Sequence, residues 1–408
     1  MKNKFLKLTA LSLIASSAIY ANGYKIPETS VNSTALLAAN VAHASGTDTA
    51  YFNPANMAFM KDENSIDASL MLIAVDSTTF KGSGYDPKQG AFANDLNIES
   101  EGGTPLIPSL HFVSSKYDDF RFGFSMVVPS GVTKKWEDSP AKDFAEQFTL
   151  EVIELNPSVA YKINDQLAVA FGARLLSSSG IVKSTSAASR DMEGSGLDFG
   201  YNLALAYKPT SALEIGVAYR SEVTLSEEGN AKLYVGESKV YDGGSSVKVP
   251  LPAQLNLAMA YTFESKTTLE VVFERDFWSA YETLDFNYDS NIPAIIQSTM
   301  DSPKAKNWED TTTIRIGATQ ELDNLKLMAG FTISKTPVPE ATVSYELPGR
   351  DATYLSAGFE YQIDEKLSAG FAALYSMKED LTVSNDTING EFSDGQVFIV
   401  TTGIGYKF

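Results

Sequence analysis

From Ser65 to Phe408, apolar and polar side chains trade places at almost every step. In residues 197–208, Phe199, Tyr201, Leu203, Leu205 and Tyr207 alternate with Gly200, Asn202, Ala204, Ala206 and Lys208. In residues 119–128, one side carries Phe120, Phe122, Phe124 and Met126, the other Arg121, Gly123 and Ser125. A period of two sends successive side chains to opposite faces of a strand, so the pattern predicts amphipathic strands. Fourteen such segments follow one another: 65–75, 106–116, 119–128, 154–163, 166–176, 197–208, 212–225, 247–263, 268–277, 311–320, 325–334, 353–363, 366–377 and 396–408. Many have the roughly ten residues that a tilted strand needs to cross a bilayer. An even count is the rule for single-chain outer-membrane barrels. The connections alternate as well. Asn164-Asp165, Pro209-Thr210-Ser211, 321–324 and Asp364-Glu365 are short, whereas 177–196, 226–246, 278–310 and 378–395 are long. A secreted sandwich or β-helix also alternates, but here the apolar face places Tyr and Phe near strand ends as a girdle does. The opposite face is Gly, Ala, Ser and Asn rather than a packed core. The expected fold is all-β, a 14-stranded antiparallel transmembrane β-barrel over residues 63–408.

Residues 22–62 break the pattern. They are rich in Ala, Ser, Thr and Asn, and show neither a greasy face nor alternation. Fourteen strands enclose a lumen too wide for side chains alone to fill. The segment is therefore expected to be an N-terminal hatch with short helices, plugging the barrel. Residues 1–21 read as a secretory signal peptide: Lys2, Lys4 and Lys7 precede a mostly apolar stretch, and Ser17, Ala18 and Ala21 are small residues suited to cleavage. No later stretch has the ~20 apolar residues of a helical span. The chain is thus expected in the outer membrane.

Composition narrows the chemistry. Loss of the signal removes three lysines and no acids, taking the net charge from −19 to −22. A chain so acidic is a poor nucleic-acid partner. Cysteine is absent, which excludes disulfides and thiolate metal sites. The two histidines are His43, in the hatch, and His111, in the second strand. Barrel hydrolases need a His within reach of a Ser or Asp, and His111→Ala would expose such an activity. A metal centre needs more ligands than these. The expectation is a non-enzyme without cofactor or metal, with a structural or adhesive barrel as one alternative.

Several motifs, in order, carry a resemblance: Gly23-Tyr24-Lys25-Ile26; Asn53-Pro54-Ala55; Tyr219-Arg220-Ser221-Glu222-Val223; Ser-Lys-Thr-Pro-Val-Pro at 334–339; Leu355-Ser356-Ala357-Gly358; and the terminal Gly405-Tyr406-Lys407-Phe408. Together they resemble the outer-membrane long-chain fatty acid transporter family, the FadL type, which includes aromatic-hydrocarbon importers. The resemblance implies passive uptake of long-chain fatty acids or similar hydrophobes, with sideways release where the third strand kinks. Pro129-Ser130-Gly131 fits such a break, because Pro removes a ladder donor and Gly relaxes the backbone; the bland alternative is an ordinary strand end. The resemblance also nominates Tyr24 and Lys183 as ligand contacts. Arg315, on the phase opposite Ile314 and Ile316, should face inward, where it would meet a carboxylate. Tyr24 might equally be a packing tyrosine, and either cation might pair with lumenal acids such as Glu214 or Glu360. Asn53-Pro54-Ala55 is expected to fix the turn from hatch to barrel through proline's locked φ and an Asn side-chain bond. Two departures bear on the ligand. Trp308-Glu309-Asp310 lacks the basic residue that the family often places between the aromatic and Asp, and the 177–196 connection is short. A less charged hydrophobe, such as an aromatic hydrocarbon, is therefore the alternative solute. Expected partners are outer-membrane lipid and lipopolysaccharide, and the barrel-assembly machinery through Phe408, with the protein a monomer.

Overall fold

The structure is a computed structural model that describes residues 23–43 and 46–408; the expected signal peptide lies outside the described residues. The alternating segments become fourteen barrel strands: Ser65–Val75, Leu106–Val113, Phe120–Lys135, Gln147–Lys162, Leu167–Ser184, Ala188–Tyr207, Leu213–Arg220, Gln254–Thr262, Thr267–Asp276, Thr311–Glu321, Leu325–Ser334, Ala352–Gln362, Leu367–Lys378 and Val397–Lys407. Each pairs antiparallel with the next, and the last returns to the first with Ser65 opposite Lys407 and Val75 opposite Val397. Closure leaves the sheet without a free edge. The outward phase is apolar and exposed, with Phe171, Leu203, Phe273 and Ile314 bare on the wall. Phe120, Tyr161, Tyr207, Tyr361 and Tyr406 gather at the short-turn end, the periplasmic end of such barrels.

At the other end the strands overshoot. The fifth and sixth run for 18 and 20 residues, so most of the predicted 177–196 loop is paired strand around a three-residue turn. The 226–246 connection is a hairpin of Val223–Val235 and Ser238–Leu251. The predicted segment 247–263 therefore divides: Leu251 ends the hairpin and Gln254 opens a barrel strand, with Pro252 at the break. Thr78–Asp86, Ala91–Glu99, Leu381–Ser384 and Ile388–Asp394 form a separate four-stranded sheet over the mouth. These outer strands face no lipid, so nothing imposed alternation on them. Beneath them lies an aromatic core that includes Phe80, Trp136, Trp278, Trp308, Tyr345 and Phe392.

The hatch fills the lumen. Its longest helix, Val31–Leu36, has six residues and begins with a capping box: Ser30 Oγ accepts from the Ser33 amide, and Ser33 Oγ from the Ser30 amide. It stops at Leu37 and Ala38, both at positive φ. The close fit requires small wall residues. At Gly330 an added Cβ would meet the Leu36 carbonyl carbon at 2.7 Å. Glu270 of the ninth strand accepts three hatch amides, Val41 and Ala42 at 2.7 Å and His43 at 3.0 Å. Asn53 Oδ1 accepts from the Ala55 amide, while its Nδ2 donates to the carbonyls of Val41 in the hatch and Leu205 in the wall. Pro54 opens the following 3₁₀ turn, Pro54–Phe59.

The third strand is the irregular one. It pairs with the second only from Leu110 opposite Met126 to Val113 opposite Gly123. Its register with the fourth shifts between Val127 and Ser130. Beyond Met126 it parts from the second strand, whose residues 106–109 keep partners only in the first. The hatch start takes the vacated edge: the Ile26 amide donates to the Pro129 carbonyl (2.8 Å), and the Gly131 amide to the Tyr24 carbonyl (2.9 Å).

Candidate functional site: a lumenal cavity behind the hatch

Between hatch and wall lies a cavity enclosing about 740 Å³ of empty space, within the range of small-molecule sites. Ile26, Val41, Phe52 and Leu251 supply apolar lining; Lys25, Arg174, Arg220 and Glu274 supply charge. The cations are held in two groups. Arg174 grips Glu154 with two parallel hydrogen bonds, Nε to Oε1 at 3.1 Å and Nη2 to Oε2 at 2.9 Å, while Arg220 Nη2 bonds the same Oε1. The Arg220 guanidinium also sits 3.9 Å from the Tyr51 ring centroid and donates to the Tyr51 carbonyl. In the second group, Lys25 bridges Asp276 (2.5 Å) and Glu274 (3.3 Å), and Arg315 binds Glu274 at 2.7 Å.

Two further spaces flank the hatch start. One, of about 320 Å³, is lined by Lys25, Glu28, Leu37, Arg315 and Tyr354 among others. The other, of about 330 Å³, lies at the parting of the second and third strands, against Ile107, Val128, Gly131 and Leu150. Ile26 lines both this side space and the main cavity. The segment Tyr24–Ile26, with its two backbone bonds to the third strand, is thus a partition between lumen and wall.

The sequence-nominated residues fall in different places. Tyr24 is buried in a cage of rings, 4.9 Å from Trp278, 5.7 Å from Trp308 and 6.3 Å from Tyr281, and its hydroxyl donates to the Pro250 carbonyl. Burial there, with Tyr281 adding to it, raises the Tyr24 phenol well above its ordinary value. Arg315 faces inward and pairs with Glu274, not with Glu214 or Glu360, which bind Lys208 and Lys326. Lys183 lies on the outward phase of its strand, 3.3 Å from Asp191, and lines none of these cavities. Pro129 lines the main cavity and Gly131 the side space, while Ser130 bridges Lys25 between them. His111 Nδ1 lies 2.9 Å from Ser125 Oγ and Nε2 lies 3.0 Å from the Thr29 carbonyl. Nε2 must then carry the proton, which makes His111 a fully enclosed tie between wall and hatch. Sequence reasoning passed over Arg174, Glu154 and Arg220 as site residues. The available signals were the inward phase of the first two and the place of Arg220 in the 219–223 motif.

A closed fourteen-stranded barrel with a lipid-facing girdle, a filled lumen and a broken wall defines a plugged outer-membrane channel. Residues 12–408 match the family described as outer membrane protein transport protein (OMPP1/FadL/TodX), and the chain belongs to it. The protein is therefore an outer-membrane transport channel and not an enzyme. It is 23% identical over 373 residues to the long-chain fatty acid transport protein of Escherichia coli O6:H1, covering 80% of this chain and 81% of that one. It is also 23% identical, over a 429-residue alignment, to outer membrane protein P1 of Haemophilus influenzae, covering 92% and 90%. In fold it is similar to a Pseudomonas aeruginosa FadL homologue (TM-score 0.83, 19% identity, 94% of this chain and 99% of that). It is likewise similar to the Pseudomonas putida toluene transporter TodX (TM-score 0.70, 17% identity, 94% and 98%).

Proposed function

We propose that the protein admits long-chain fatty acids or similar hydrophobic solutes passively and releases them sideways into the membrane through the parting of the second and third strands. The observation that carries this reading is the thinness of the partition: two backbone hydrogen bonds at Tyr24–Ile26 stand between the main cavity and the apolar space in the wall. A net backbone hydrogen bond is worth about 1 kcal/mol, so thermal lifting of this segment is within reach. Tyr24, Arg315 and Lys183 remain candidate ligand contacts, the first two at or beside the path. Aromatic hydrocarbons are the second reading, favoured by the ring cage at Tyr24 and by Glu309 in place of a basic residue.

The test is a cross-link. Ile107→Cys and Val128→Cys face one another across the parting, and no native thiol competes. Joining them with a short thiol-specific linker in protein reconstituted into vesicles should abolish palmitate entry while leaving palmitate binding intact, and cleaving the linker should restore entry. Undiminished entry through the cross-linked barrel would refute sideways release.

A further inference from the structure

We propose that Arg174, Arg220 and Glu154 form a carboxylate-reading site on the wall of the main cavity, so that the solute is an amphiphile carrying a single acid headgroup. The proposal rests on the reading of that cavity as the solute's path. Two guanidiniums share one carboxylate here: Arg174, Arg220 and Glu154 are 3%, 8% and 0% exposed, and no second acid stands within ion-pair range of either arginine among the described residues. The trio carries one positive charge in excess, in a place where an uncompensated charge is costly. The neighbouring group does not share the excess, since Lys25 and Arg315 face Glu274 and Asp276, two against two.

The donors tell the same story. Arg174 spends Nε and Nη2 on Glu154 and Nη1 on the Ser221 carbonyl at 2.6 Å. Arg220 spends Nη1 on Tyr51 and Nη2 on Glu154, and its buried Nε–H has no acceptor. Both side chains line the cavity. An incoming carboxylate would supply the missing acceptor and cancel the excess charge, with the planar fork of a guanidinium matched to its two oxygens. The apolar stretch of Ile26, Val41, Phe52 and Leu251 then takes the chain. A hydrocarbon or an alcohol would leave the excess charge as it was.

The alternative is a clamp that only ties three strands to the hatch, and the two are separated by comparing solutes of one length. The full-length protein in a non-lipid detergent is titrated with palmitate and with hexadecanol. The wild type should prefer palmitate about ten- to a hundredfold, the worth of one or two charge-assisted hydrogen bonds. In Arg174→Met the trio becomes neutral and that preference should collapse toward unity. In Glu154→Gln the excess grows to two, and the preference should widen. A clamp predicts instead that both variants weaken both solutes in parallel, and this result would overturn the proposal. So would equal affinity for the two solutes in the wild type, which leaves the channel reading standing. A wild type that binds neither overturns both. If Arg174→Met fails to fold, Glu154→Gln still decides, because its expected direction is opposite to that of a lost clamp.

Discussion

Glu270→Gln isolates the tie between hatch and wall at a single atom pair. Glu270 Oε1 accepts the Val41 and Ala42 amides at 2.7 Å, and Oε2 accepts His43 at 3.0 Å. A hydrogen bond to a charged group contributes about 1.5–3 kcal/mol and a neutral one about 0.5–1.5 kcal/mol. Glutamine keeps the first two bonds without charge, a loss of about 1 kcal/mol each, and turns an N–H toward the His43 amide, a further loss of about 2 kcal/mol. Relief from burying a carboxylate returns part of this, leaving roughly 2–4 kcal/mol. At 1.4 kcal/mol per decade, opening of the 41–43 loop should become about 30- to 700-fold more frequent. Native-state hydrogen exchange of the full-length protein reads this directly, because local openings set the exchange rate of the amides they expose. Amides 41–43 should exchange faster by that factor while those of the barrel strands keep their protection. Unchanged protection at 41–43 would mean that the hatch is held by packing alone, and the reasoning would fail.

Two further outcomes follow. Tyr24→Ala empties the ring cage, a loss on the scale of about 3–5 kcal/mol for a buried aromatic; of the three tryptophans, Trp278 and Trp308 should gain water, seen as a red shift in emission, and an unshifted spectrum would show that the cage collapses instead. In the outer lid, burial pushes the Glu346 carboxyl up, but Lys306 at 2.7 Å outweighs it and the net value lies below the ordinary one. A depressed carboxyl stabilises the fold above its unfolded value of about 4.3 and loses that contribution as pH falls through the folded value. Lid amides near 343–347 should therefore lose protection in acid below that point, and Lys306→Met should flatten the profile; an identical acid profile in the variant would refute the pairing.

The sequence was most legible where two solvents met. Lipid on one face and hatch on the other forced strict alternation, and every barrel strand could be read from it. The outer hairpin Val223–Val235/Ser238–Leu251 has water on one side and an irregular aromatic core on the other, so Glu227-Glu228-Gly229-Asn230 looks like loop although it is paired strand. Within the site, periodicity conveys the face of a strand but not what stands opposite. Arg174 and Lys183 lie nine residues apart on one strand; Arg174 points at Glu154 and the cavity, Lys183 at Asp191 outside. Arg315 was legible as inward, yet its partner Glu274 comes from the neighbouring strand through a register that no local pattern encodes. The parting at Pro129–Gly131 was visible because proline and glycine leave a chemical mark on the ladder itself.

The hatch has no fold of its own. Its longest helix is six residues, far below the length at which an isolated helix persists in water. Its amides and carbonyls find partners at Glu270, Arg315, Arg220 and the Pro129 edge. It is better regarded as a peptide bound by the barrel and tied to it through the residues just before Ser65. Such a tether holds it at an effective concentration of order millimolar. A contact of modest intrinsic affinity is then enough to keep the pore shut. A solute entering the same cavity competes with a bound peptide that can let go at one end without ever being lost.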